Sequence, residues 1–228
     1  MIARACRLPR WRVGLAGIVL LAGCAGGPPA PEWQSNAKAA VDRAVQAALS
    51  GDGRVEAQEF ERARSELART GRPDWIARAE LMRCAAHTAS LAFEPCAGFE
   101  RWRRDAAPAE LAYAQHLAGH GLARADIALL PPAQRDAATA IAGGAVAPVQ
   151  VRGIDDPLSR LIAAALLFRA GKASPEVIEQ ATDTASAQGW RRPLLAWLQV
   201  QALRAERAGA TDEGQRLRRR IELVQGGK

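Results

Sequence analysis

The segment from Trp75 to Ala89, with the sequence WIARAELMRCAAHTA, decides the fold class of this chain. Five of its apolar residues recur at alternating steps of four and three, a spacing that places them on one face of an α-helix. These residues are Trp75, Ala79, Met82, Ala86 and Ala89. The segment therefore predicts a long amphipathic helix that buries this stripe.

The helical period also extends toward the N-terminus. Residues 33–48 place their apolar side chains on one face, and a second helix from about 54 to 69 directs Phe60, Ala63 and Leu67 inward. The cluster SGDG at 50–53 separates the two segments and favours a turn. We therefore expect a helical hairpin before the Trp75 helix.

The C-terminal part of the chain is also predicted to be helical. The pairs Asp156-Pro157 and Ser174-Pro175 each place a capping side chain before a proline at the first helical position. The β-rich string VAPVQV at 146–151 is short and contains a proline, so it predicts a loop. We expect an all-α domain over residues 33–225, with a candidate division into two halves near 142–156.

Two short strings recur within the domain. GRPDWIARAELMR at 71–83 is similar to GWRRPLLAWLQVQ at 189–201, and FRAGK at 168–172 is similar to ERAGA at 206–210. Paired helices with small residues at packing positions resemble tetratricopeptide-type hairpins, although that family's tryptophan, leucine-glycine and tyrosine signature is not reproduced. The resemblance implies a solenoid of helical hairpins, and an irregular α-bundle is the alternative.

The first 23 residues have the order of a secretory signal, with four arginines followed by an apolar run from Val13 to Ala22. The run ends in Leu21-Ala22-Gly23-Cys24, which resembles the lipobox of bacterial lipoproteins. The resemblance implies that residues 1–23 are removed and that Cys24 is lipidated. An ordinary signal peptide with a chance cysteine is the alternative.

A lipidated Cys24 would anchor the chain permanently if it carried three acyl chains, as the resemblance implies. Residues 24–32, rich in proline and glycine, are then a flexible tether between the lipid and the domain. Ala25 is not the aspartate that favours inner-membrane retention, so the resemblance implies the outer membrane, facing the periplasm.

Charge gives no support for a nucleic-acid partner. Removal of residues 1–23 takes away four arginines and no acidic residue, so the net charge falls from +7 to +3. Most of the basic character therefore belongs to the signal.

Two cysteines remain after Cys24, and export to an oxidising compartment favours a disulfide between Cys84 and Cys96. The bond requires the helix that contains Cys84 to end near Ser90, because only then can the chain return far enough. Two separate buried thiols are the alternative.

Metal ligands are suggested at two places. Asp52, Gly53, Val55 and Glu59 are similar to the second half of an EF-hand loop, but the opening aspartate is missing. A plain helical turn, with Glu56 and Glu59 complementing the positive end of the second helix, is the preferred interpretation.

His116 and His120 have the i, i+4 spacing of zinc ligands on a continuous helix, but Gly119 and Gly121 favour a helix end there. His87, near Cys84, is expected to be buried or half-buried. We expect no metal and no cofactor.

A candidate partner-binding site is Trp102 within the string FERWRR, together with Arg101, Arg103 and Arg104. A core position is the alternative for Trp102. The basic string RLRRRIELV at 216–224 is expected to be a solvated helix face, or otherwise a contact site for anions.

No motif of a nucleophilic, nucleotide-binding or dinucleotide-binding enzyme is present in the sequence. We therefore predict a non-catalytic protein-interaction scaffold of the cell envelope, with a role in envelope assembly or the cell wall. The alternative is an envelope enzyme or a ligand-binding or metal-binding lipoprotein with a pocket near His116 and His120, lined also by Glu110 and Asp126.

Overall fold

The computed structural model describes residues 31–143 and 149–226, and within these ranges the chain forms eleven α-helices and no strand. The predicted all-α fold class is therefore confirmed. The lipobox-like residues Leu21 to Cys24 lie outside the described ranges. The helices are α1 (Glu32–Ser50), α2 (Gly53–Ala68), α3 (Pro73–Ala89), α4 (Ala97–Glu100), α5 (Pro108–Leu117), α6 (Arg124–Leu129), α7 (Pro132–Ile141), α8 (Pro157–Arg169), α9 (Pro175–Ala187), α10 (Arg191–Arg207) and α11 (Thr211–Gly226).

The helix boundaries follow from capping chemistry. The Asp156 carboxylate accepts a hydrogen bond from the Ser159 backbone N–H at 2.7 Å, and the Ser174 hydroxyl accepts one from Val177 at 3.4 Å. Both capping predictions are confirmed, because each side chain satisfies a backbone donor that has no partner within the helix.

Helix α3 is the centre of the larger core and contacts α1, α2, α4, α5 and α8. Its buried side chains include Ile76, Ala77, Leu81 and Ala85, which surround most of the helix. The single-stripe prediction is therefore wrong at Met82, which is 39% exposed. A helix with neighbours on several sides buries more than one stripe.

The apolar core crosses the segment that was proposed to divide the domain. Its largest cluster includes Leu49 and Leu81 from the N-terminal helices and Leu166 and Trp197 from the C-terminal ones. Val151, within that segment, belongs to the same cluster and is fully buried. A smaller cluster joins α1, α2 and the start of α3, and another joins α10 to α11.

The recurring strings FRAGK and ERAGA are two equivalent helix ends. Gly171 follows α8 with φ +69°, and Gly209 follows α10 with φ +70°. A left-handed residue after the last turn is the ordinary way to end a helix, and glycine adopts it without steric cost. The similarity of the two strings therefore reflects two helices that end in the same way.

Among the described residues, no helix has the length and apolar content needed to cross a membrane.

Candidate functional site

A disulfide fixes the chain at the end of α3. Helix α3 ends at Ala89, Ser90 follows it, and Leu91 reverses the chain with φ +59°. Cys84 and Cys96 are bonded, with their Cα atoms 5.8 Å apart. Both the predicted pairing and the helix end near Ser90 are confirmed.

The disulfide borders a cavity of about 200 Å³ that also contacts Glu80, Arg83 and His87. The Glu80 side chain is only 5% exposed, and its Oε1 accepts no hydrogen bond, although Arg64 Nη1 lies 3.4 Å away. Burial raises the pKa of the Glu80 carboxyl, while the positive charges of Arg64 and Arg83 oppose this rise. Burial therefore destabilises the ionised form of the Glu80 carboxyl.

A second buried carboxylate, Glu56 of α2, joins three helices. Its Oε1 accepts a hydrogen bond from Arg83 Nε at 2.8 Å and lies 2.7 Å from His87 Nε2, both on α3. Its Oε2 lies 3.8 Å from Arg192 Nη1 on α10. Burial alone would raise the pKa of Glu56, but the hydrogen bonds from Arg83 and His87 lower it below its usual value.

The sequence interpretation of Glu56 and Glu59 as complements of a helix end is thus incomplete. Glu56 forms a long-range ion-pair network, and Glu59 binds Arg43 at 2.8 Å and Arg62 at 3.0 Å. Sequence reasoning missed these partners because most of them lie on other helices. The one available signal was that Glu56 precedes Phe60 by four residues and therefore lies on the buried face of α2.

The calcium-like carboxylates have other roles. The Asp52 side chain caps α2 by accepting a hydrogen bond from the Val55 N–H at 3.0 Å, and Glu59 is held by its two arginines. Within the described ranges, no group of three or more His, Cys, Asp or Glu side chains could hold a metal ion.

The two histidines do not share a helix face, because α5 ends at Leu117, between them. His116 is fully buried with Nε2 3.4 Å from Gln134 Oε1, and burial lowers its pKa to about 4. His120 is exposed and borders the cavity near Phe93. Glu110 borders a different cavity, so the proposed pocket residues are not gathered around one space.

Trp102 is half-buried and packs against both main apolar clusters, so its ring is largely a core contact. Arg103 forms a two-point ion pair with Glu100, at 2.7 and 2.9 Å. Arg101 and Arg104 are exposed. A partner-binding role for this segment stays a prediction.

An open groove with a largely apolar lining lies between α3, α5 and α6 and has a volume of about 430 Å³. Met82 from α3 and Leu129 from α6 line it with exposures of 39% and 43%. Arg78 and Glu110 also line the groove and form an ion pair, with Arg78 Nε 3.4 Å from Glu110 Oε1. We refer to the surface formed by these four side chains as the α3–α6 groove.

This groove was missed because Met82 was assigned to the buried stripe of α3. A signal was available, since Met82 lies four residues after Arg78 and therefore shares its exposed side of the helix. Comparison of the chain with protein-family models, curated proteins and solved structures finds no match.

Proposed function

We propose that this chain is a lipid-anchored protein of the bacterial envelope whose helical domain binds another envelope protein and has no catalytic role. The lipobox-like sequence ending at Cys24 supports the anchor, and Ala25 favours the outer membrane, with the domain in the periplasm. The α3–α6 groove is the single observation that carries the binding role.

The groove supports a definite class of partner. Met82 and Leu129 are two of only four large hydrophobic side chains that are exposed in the described part of the chain. Apolar side chains that meet in a groove are typical of interaction sites, and a polar rim is typical of their borders. Because Arg78 and Glu110 already neutralise each other, the best complement is an uncharged apolar segment of a partner protein.

The binding role can be tested by cross-linking in living cells. A photoreactive phenylalanine analogue in place of Leu129 should capture one envelope protein, identified by mass spectrometry. The matched control is the same analogue in place of Leu203 of α10, which is 52% exposed and lies outside the groove. With the captured protein purified, Met82→Arg should weaken binding at least about tenfold, because it places a charge in an apolar contact.

Equal capture at both positions, or unchanged binding by Met82→Arg, would remove the groove as the binding site. The location is tested separately by the intact mass of the protein extracted from membranes. That mass should show loss of residues 1–23 and addition of acyl chains. A Cys24→Ser chain that is still processed and remains in the membrane fraction would contradict the anchor.

A further inference from the structure

Two tryptophans form the end of the domain at which the described chain begins. Trp33 lies in the first turn of α1, Trp75 lies in the first turn of α3, and both are half-buried. Their ring centroids are 5.1 Å apart in an edge-to-face arrangement. The Arg72 guanidinium lies 5.0 Å from the centre of the Trp75 ring. We refer to Trp33, Trp75 and Arg72 as the tryptophan end.

The arginines around the tryptophan end are paired, whereas Glu32, next to Trp33, is exposed and has no ion pair among the described residues. Arg72 Nη2 lies 2.6 Å from the Asp74 carboxylate, and Arg69 Nη1 lies 3.1 Å from that of Glu66. The two arginine side chains are 56% and 69% exposed. Both rings also pack against the apolar cluster of α1, α2 and α3, so this end presents to solvent the uncovered parts of two rings, two paired arginines and the Glu32 carboxylate.

That combination matches the chemistry of the boundary between lipid headgroups and acyl chains. Indole rings concentrate at this boundary because their apolar body and their N–H prefer different sides of it. Long arginine side chains can extend their heads toward water from the same depth. A surface that bound anionic lipid by charge would instead carry unpaired basic residues.

The length of the chain brings this end within reach of the proposed anchor. Trp33 follows Cys24 by nine residues, and an extended chain of this length spans at most about 30 Å. Helix α1 has 19 residues, so its opposite end lies about 28 Å farther along the helix axis. The tryptophan end is therefore the part of the described domain that is closest to Cys24 along the chain.

We propose that the tryptophan end contacts the headgroup region of the membrane in which Cys24 is anchored. This contact would give the domain a fixed orientation on the bilayer. The inference rests on the lipid anchor of the proposed function, and it adds the contact surface and the class of its partner, a bilayer whose binding does not require anionic lipid.

The test is quenching of tryptophan fluorescence by brominated lipid. The full chain is produced in bacteria, extracted from membranes and reconstituted into bilayers of phosphatidylethanolamine and phosphatidylglycerol, with or without bromine on the acyl chains. Trp33 and Trp75 are two of the five tryptophans that follow Cys24, so bromine should remove up to about two fifths of the emission.

Matched variants show which tryptophans account for the quenching. A Trp33→Phe/Trp75→Phe chain should lose this quenching, and a Trp102→Phe chain should keep it. The same quenching is expected in bilayers of phosphatidylcholine alone, because the arginines of the tryptophan end are paired with carboxylates. The proposal is overturned if bromine has no effect on the wild-type chain, if the double variant is quenched equally, or if anionic lipid is required.

A second arm separates this inference from the anchor itself. In a chain that begins at Cys24, Cys84 and Cys96 are bonded to each other, so Cys24 is the only free thiol and can be coupled to a maleimide phospholipid. Circular dichroism first checks that this chain is as helical as the full one. If the coupled chain is quenched but the natural protein carries no acyl chain, the proposed anchor is wrong and the contact surface is retained. An anchored chain without quenching would remove the contact surface alone.

Discussion

Replacing Glu56 with glutamine should destabilise the domain, because it removes the charge at the centre of the network that joins α2, α3 and α10. The Glu56 side chain is 3% exposed and has Arg83, His87 and Arg192 within 4 Å. Glutamine has nearly the same shape, so the substitution changes charge and hydrogen bonding and leaves no cavity.

The magnitude follows from the exposure of the three partners. Removing one member of a fully buried ion pair costs about 3–5 kcal/mol, and a hydrogen bond to a charged group contributes about 1.5–3 kcal/mol. The side chains of Arg83, His87 and Arg192 are 40%, 26% and 37% exposed, so water can solvate them again. Glutamine also keeps one carbonyl oxygen as an acceptor. We therefore expect Glu56→Gln to lower the free energy of unfolding by about 2 kcal/mol.

The assay is urea unfolding followed by far-UV circular dichroism at pH 7 and at lower pH. The matched control is Glu61→Gln on the same helix, where the carboxylate is 72% exposed and the expected loss is below about 0.5 kcal/mol.

Because the pKa of Glu56 is lowered in the folded state, its contribution is present above the unfolded value near 4.5 and disappears as the pH falls through the folded value. The difference between wild type and Glu56→Gln should therefore shrink in acid. A Glu56→Gln chain as stable as the control, or a difference that does not change with pH, would refute the reasoning.

Three further predictions concern other parts of the structure. Gly98→Ala should lower the free energy of unfolding by about 1 kcal/mol, because its new methyl group would displace the buried end of the Glu80 side chain. Adding Glu80→Ala should recover most of this loss in urea unfolding, and no recovery would contradict the overlap. Cys84→Ser should cost about 3 kcal/mol, since the bond to Cys96 closes a loop with a sequence separation of 12, and reducing the wild-type chain should produce a similar loss. The His116 imidazole should remain neutral until about pH 4 in an NMR titration. Because the unfolded chain binds that proton at a higher pH, the free energy of unfolding should fall between about pH 6.5 and 4. An NMR titration midpoint near 6.5 for His116 would count against its buried position.

The fold class could be predicted from the sequence because its signals are local. Helical spacing, the caps at Asp156 and Ser174 and the turn around Gly51 each depend on a few neighbouring residues, and each is found in the structure. Met82 was misassigned because periodicity gives the face of a helix without giving the number of its neighbours. A helix contacted on several sides leaves only a narrow exposed strip, and Met82 lies in it.

The candidate site could be predicted only in part, for a related reason. The Cys84–Cys96 bond was predictable because these two cysteines remain after Cys24 in a chain expected to be exported. Helix rise and chain reach added the condition that α3 ends near Ser90. Glu56 was not, because Arg83 lies 27 residues later in the chain and Arg192 lies on α10. Ion pairs between distant helices leave no spacing pattern, so only the packed structure brings them together.

The two proposals constrain each other through α3, which carries residues of both surfaces. Met82 follows Trp75 by seven residues on this helix, which corresponds to about 10 Å along its axis. If the tryptophan end lies at the headgroups, the α3–α6 groove lies close above them, because α3 is continuous between the two residues. A protein held at the same membrane can present a segment at this height without leaving the bilayer, so we expect the protein captured from position 129 to be membrane-anchored or membrane-spanning. A freely diffusing periplasmic partner would contradict this expectation and would leave each of the two surfaces to its own test.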